Sequence, residues 1–201
     1  MHWLPWNIGW FRGRVWPAQL EDIQASLGYL REHAQELNVD PGRIGAWGES
    51  PGGHLVSLAA LKEPGALQAV AELYGPTDFL SKDTTTAQGL QYVHNLVGGQ
   101  QAWLGPASPV TYANPQAPPF LIMHGQDDSF VPFTQARRLE QALKAVNAPV
   151  ELVAVQHANH GFRGHPEPTR QALAQVLVDF FERRLKTRVK RPGSPNVSRW
   201  R

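Results

Sequence analysis

The sequence predicts an α/β fold: a parallel sheet with helices on both faces. Three observations predict it. Short apolar runs suited to strands, at 44–47, 69–74, 120–124 and 150–155, alternate with longer segments of helical period. The stretch 54–61 is apolar nearly all round, as a helix buried against a sheet must be. A length of 201 residues with 42% hydrophobic and 18% charged side chains suits one globular domain, and seven Trp can help to fill its core.

The elements follow in order. Residues 1–16 crowd Trp3, Trp6, Trp10, Phe11 and Trp16 into an aromatic-rich segment without a clear period. From Pro17, the residues Leu20, Ile23, Leu27, Leu30, Ala34 and Leu37 recur at steps of three and four, the stripe of an amphipathic helix. Pro17 suits a first helical position, Glu21 and Asp22 lie near the positive helix end, and Asn38 can close the helix in a left-handed conformation. Strand 44–47 comes next, then a tight turn at Ser50, then the buried helix.

Thr134 is placed to cap a helix whose inner face carries Ala136, Leu139, Leu143 and Val146. Thr169 is placed to cap a last helix with Leu173, Val176, Leu177, Phe180 and Phe181 inward. Residues 78–119, rich in Gln, Thr, Gly and Pro, give no clear reading. The organisation is therefore an aromatic-rich segment at 1–16, a domain at 17–185 and a basic tail at 186–201.

The net charge of +2 is a poor guide to partners. Eight of the 19 basic residues lie beyond residue 182 with no acid among them, so the first 182 residues carry 11 basic against 17 acidic side chains, net −6. The body is acidic. Pro192, Gly193, Ser194 and Pro195 mark the tail as a solvated, disordered end, so no nucleic-acid partner is expected. No apolar run approaches a membrane span, and no signal peptide is visible, which gives a cytoplasmic expectation for this chain. Zero cysteines exclude disulfides and thiolate metal sites.

The chemistry gathers where strands end. In open parallel sheets, reactive groups collect at the carboxyl ends of the strands. Gly48-Glu49-Ser50-Pro51-Gly52 has the G-x-S-x-G form of a nucleophile elbow. Alone the match is weak. Asp127 and Asp128 follow the third strand, and His157 and His160 follow the fourth. A serine, an acid and a histidine after three separate strands can attack a carbonyl, with the histidine as base and the acid orienting it. His157, His160 and His165 also permit a metal reading, but Asn159, Gly161 and Gly164 between them describe a loop, and no acid ligand lies close by. No metal or organic cofactor is expected.

The sequence resembles the α/β-hydrolase superfamily, in its branch of bacterial acetyl- and feruloyl-esterase-like enzymes. The residues that carry the resemblance include Phe11-Arg12, Pro17-Ala18-Gln19-Leu20-Glu21-Asp22, Asp40-Pro41-Gly42-Arg43-Ile44 and Gly52-Gly53-His54-Leu55. Tyr74-Gly75-Pro76-Thr77-Asp78, Ser108-Pro109 and Pro118-Pro119-Phe120-Leu121-Ile122-Met123-His124-Gly125 continue it. The resemblance implies Ser50 as nucleophile. The family's H-G-x-x-D…V-P segment, here 124–132, selects Asp128 over Asp127, and its H-G-F ending selects His160 over His157. It also implies that His124 is a structural residue at a strand end. His54 is expected to pack behind the elbow.

Two departures bear on activity. Pro51 follows Ser50 and has no N–H, although the residue after the nucleophile ordinarily supplies an oxyanion donor. No H-G-G-G loop precedes Ser50, and the 49 residues before it are too few for the strands the family carries there. The expectation is a partial α/β-hydrolase fold lacking its first strands, with 44–47 as a bare sheet edge open to self-association. The expected function is serine-dependent hydrolysis of a small-molecule carboxylic ester, impaired by these departures. The rival readings are an inactive hydrolase-fold remnant acting by association, and a prolyl-oligopeptidase-like serine peptidase with the same order of residues.

Overall fold

The structure, a computed structural model, describes residues 15–81, 86–165 and 167–186. The aromatic-rich segment through residue 14 and the basic tail from 187 lie outside the described residues. Strands β1 (Gly45–Glu49), β2 (Ala69–Leu73), β3 (Phe120–Gly125) and β4 (Val150–Val155) pair in parallel in the order β1-β2-β3-β4. Each of the four strand segments read from the sequence is a strand. Helices α1 (Ala18–Glu32), α2 (Pro51–Lys62), α3 (Ala87–Val97), α4 (Thr134–Ala145) and α5 (Glu167–Leu185) complete the described secondary structure, with short 3-10 turns at Gln101–Trp103, Pro109–Tyr112 and His160–Phe162.

The sequential strand order decides where the helices go. Parallel crossovers are right-handed, so successive crossovers in one direction leave their helices on one face. Leu55, Leu58, Leu96, Leu139 and Leu143 of α2, α3 and α4 accordingly share a core with Val70, Phe120 and Ile122 of the sheet. Leu20, Ile23 and Leu27 of α1 join that core. The opposite face, with Ala71, Leu73, Leu121 and Met123, packs against Leu177, Phe180 and Phe181 of α5. Every residue of β2 is buried, and likewise of β3, whereas β1 and β4 are partly open. Among the described residues β1 has a strand on one side only, and Trp47 on it is 41% exposed.

Several expectations need correction. Helix α1 ends at Glu32, before Ala34 and Leu37, because the Ala34 N–H turns to Arg31 O at 3.4 Å and the chain continues in turns. Asn38 does take the left-handed conformation, with φ 52°. Pro17 flanks α1 and is not its first helical residue. Thr134 lies inside α4, whose cap position is Phe133 with no side-chain bond, and α5 starts two residues before Thr169. Within the stretch that gave no clear reading, Thr86 caps α3 by accepting the Gly89 N–H at 3.3 Å, and Gly98 ends the helix at φ 59°. No described helix is long and apolar enough to cross a membrane.

Because α5 alone among the described helices covers its face, truncating its ring anchor exposes the central strands. Phe181→Ala is expected to lower the unfolding free energy by about 3–5 kcal/mol, read as a lower urea midpoint at unchanged slope.

Candidate active site

Ser50 occupies the sharp turn between β1 and α2, at φ 52° and ψ −115°. A non-glycine residue with positive φ is strained, and such strain clusters where a side chain must be presented. Two backbone bonds hold it there. The Ser50 N–H donates to Leu73 O at 2.8 Å, extending the β1–β2 ladder, and Ser50 O accepts the His54 N–H at 3.2 Å, opening α2. A Cβ at Gly48 would overlap the Gly52 backbone, and one at Gly75 would come within 2.8 Å of Ser50 O. Both positions must therefore be glycine. Pro51 fits as the first residue of α2, and Ser50 lies outside the right-handed helical region that a following proline disfavours.

The turns after β1, β3 and β4 converge. His160 Nε2 faces Ser50 Oγ at 3.0 Å, and His160 Nδ1 faces Asp128 Oδ2 at 2.8 Å. A carboxylate can only accept, so Nδ1 carries the proton and Nε2 is free to take the serine proton. Asp128 is itself gripped: its Oδ1 accepts the N–H groups of Phe130 at 2.9 Å and Val131 at 2.8 Å. His124 Nε2 donates to Val131 O at 2.8 Å and lies 3.3 Å from Asp128 Oδ2. Burial opposes the charge on Asp128, but the hydrogen bonds from His124, His160, Val131 and Phe130 outweigh it and hold the carboxyl well below its ordinary range.

The alternative residues go elsewhere. Asp127 and His157 are exposed and face each other at 3.5 Å, while His165 Nε2 donates to Gln156 O at 2.6 Å. The three histidines of the loop thus turn to separate partners. His54 is buried behind the elbow, where its Nε2 donates to Ala107 O at 2.7 Å, and burial pushes its pKa down to about 4.

Other residues at the site gave no functional signal in the sequence. The rings of Tyr74 and Phe130 each lie 5.0 Å from the His160 ring and fix its plane. Burial first, and then the hydrogen bond to Glu49, drive the Tyr74 hydroxyl above its ordinary range, so it stays neutral. Asn159 Oδ1 accepts the His160 N–H at 2.7 Å and both the N–H and O–H of Ser129 at 3.1 Å, tying the His160 turn to the Asp128 turn. Glu72 is fully buried on the face of β2 that meets α2; one oxygen accepts the Gly75 N–H and the other has no hydrogen-bond partner among the described residues. A lone glutamate inside a strand gives no sequence sign of such a position. The open cleft beside Ser50 measures about 600 Å³ and is lined by Ser50, Pro51, Tyr92, Ser129, Phe130, Asn159, His160 and Arg163.

A BD-FAE family model matches residues 9–143. The chain belongs to the BD-FAE family. Esterase LipQ of Mycobacterium tuberculosis is 30% identical to it over 185 residues, spanning 83% of this chain and 44% of LipQ. The probable carboxylic ester hydrolase LipM of the same organism is 35% identical over 191 residues, with 83% and 44% spanned. Among solved structures, the thermophilic esterase Est2 of Thermogutta terrifontis, with butyrate bound, superposes at a TM-score of 0.71 and 25% identity, covering 89% of this chain and 69% of that one. The α/β-hydrolase fold expected from the sequence is the fold of this BD-FAE chain. The chain spans less than half the length of LipQ and of LipM.

Burial pushes the Glu72 carboxyl up to about 7, against the opposing pull of His124 and the Gly75 N–H. The folded state therefore holds this proton more tightly than an unfolded chain does at the ordinary 4.5. Its contribution is intact below the unfolded value and is lost as pH rises toward the folded one. Glu72→Gln should remove that loss, gaining on the order of 3 kcal/mol relative to the parent between pH about 4 and about 8, measured by urea unfolding at each pH.

Proposed function

We propose that this chain carries the catalytic residues of a serine-dependent carboxylic ester hydrolase, with Ser50 as nucleophile, His160 as general base and acid, and Asp128 as the group that orients His160. The observation that carries the reading is the unbroken hydrogen-bond run from Ser50 Oγ through His160 to Asp128, at 3.0 and 2.8 Å. The resemblance to LipQ, LipM and Est2 supports ester substrates in particular.

In the forward step, Ser50 Oγ attacks the ester carbonyl as its proton passes to His160 Nε2. The imidazolium is stabilised by Asp128, whose hydrogen bonds favour its charged form. The acyl C–O bond then breaks, and the leaving alkoxide oxygen takes the proton from His160 Nε2. Water, deprotonated by the same nitrogen, releases the acid from Ser50. The chemistry needs no metal or organic cofactor.

The oxyanion is the weak point. Residue 51 is proline and offers no N–H to the developing charge, and loss of one such donor costs roughly a hundred- to a thousand-fold in turnover. The same fact, with the pairing of β1 on one side only among the described residues and the partly exposed ring of Trp47, favours a second reading. In it the chain is inert as an esterase and associates with itself or another chain through the β1 edge. A fluorophosphonate probe separates the two: covalent labelling at Ser50 supports the hydrolase, and an unlabelled, folded protein supports the inert partner.

Turnover of p-nitrophenyl acetate is expected to vanish in Ser50→Ala; a rate that survives that change defeats the hydrolase reading. Pro51→Ala, which restores an N–H at residue 51, should raise kcat about tenfold or more with little change in KM, because the donor acts on charge formed only in the transition state.

A further inference from the structure

The cleft beside Ser50 holds one charged side chain that the proposed chemistry does not use. Arg163 lies three residues beyond His160 and lines the same cleft. Its backbone is fixed: Arg163 O accepts the Asn159 N–H at 3.1 Å, and the preceding Phe162 is buried edge-on against Tyr74 with ring centroids 5.0 Å apart. Its guanidinium has no hydrogen-bond or ion-pair partner among the described residues. Arg31, Arg43, Arg137, Arg138, Arg183 and Arg184 each face a carboxylate. Asp128, the nearest acid in the machinery, already has its oxygens occupied by His160, Phe130, Val131 and His124. Asn159 and Ser129, the polar neighbours in the cleft, are bonded to each other.

An unpaired arginine lining the same cleft as Ser50, on a body of net negative charge, makes the cleft locally attractive to an anion. Its planar fork matches a carboxylate in a bidentate pair. The side on which it sits identifies the part of the substrate. His160 must reach the leaving oxygen to protonate it, so the alcohol half of the ester lies over the His160 turn, at whose end Arg163 lines the cleft.

We propose that Arg163 recognises a carboxylate on the alcohol half of the ester, so that the preferred substrates are acyl esters of hydroxy acids. The inference rests on the hydrolase reading above. The reaction it describes takes an acylated hydroxy acid and water to the free acid and the hydroxy acid. The acyl C–O bond breaks, and the hydroxy-acid oxygen receives its proton from His160.

The test compares para-acetoxybenzoate with its neutral counterpart para-acetoxybenzamide, which differ in charge on the leaving group and little else. The expected kcat/KM ratio favours the anion by about tenfold in the parent, approaches one in Arg163→Ala, reverses in Arg163→Glu and is partly restored in Arg163→Lys. The preference should also shrink as salt is raised. A parent ratio at or below one, or a ratio unchanged in Arg163→Ala, overturns the proposal while leaving the hydrolase reading intact.

Equilibrium binding of the product para-hydroxybenzoate against para-hydroxybenzamide supplies a readout that needs no turnover. Tighter binding of the anion that is lost in Arg163→Glu supports the subsite even if neither ester is cleaved. Equal binding in parent and variant refutes it. Absence of both cleavage and fluorophosphonate labelling defeats the hydrolase reading separately.

Discussion

The bond from the Ser50 N–H to Leu73 O is the constraint on which the rest of the site depends. It continues the parallel ladder of β1 and β2 one residue past the end of β1, and so forces the chain to reverse within a single residue before α2 can begin. That reversal leaves Ser50 at positive φ, a conformation that costs of order 1–3 kcal/mol in isolation. The strain persists because the sheet on one side and the His54 N–H on the other over-determine it. The glycines at 48 and 75 are consequences of this crowding: once the turn is that tight, no side chain fits where its walls touch.

The electrostatics divide two buried acids by the company each keeps. Asp128 and Glu72 lie on neighbouring strands or their ends, and both are shielded from water. Asp128 gathers four donors that favour its charged form, as the role proposed for it beside His160 requires. Glu72 has one donor and is pushed toward its neutral form. Register explains their proximity: Glu72 pairs with Ile122, and His124 follows Ile122 by two, so Glu72 and His124 share a face of the sheet. His124, which reaches Asp128, thereby stands between the two carboxyls. Separated environments for nearby acids are how one fold keeps a working charge and a silent one side by side.

Much of this was legible in the sequence, for a physical reason. All four strand segments were found because each is a short, mostly apolar run between turn residues, the two central ones buried throughout. Asp128 and His160 were separable from Asp127 and His157 only through the family motif; spacing alone left both pairs open, and the structure contains an Asp–His contact for each. Helix α3 was hidden because its apolar residues lie among Gln, Gly and Asn, whose local preferences mask the period. Thr134 and Thr169 misled because a residue suited to capping is also tolerated in a first turn, where the start is set by packing. The contacts of Tyr74, Asn159 and Glu72 escaped, although Tyr74 opens one of the stretches that carry the family resemblance. Their roles come from what they touch across the sheet, and that is a property of register and turn geometry with no trace in local sequence.

Ser50 and His160 are 110 residues apart, yet they meet through one hydrogen bond. The loop it closes encloses β2, β3, β4 and the helices between them, so the contact depends on the turns after β1 and β4 being seated together. The reactivity proposed for Ser50 consequently depends on the finished fold. A chain that had built its sheet but not yet seated the turn after β4 would match the native protein in secondary structure while Ser50 lacked its His160 partner.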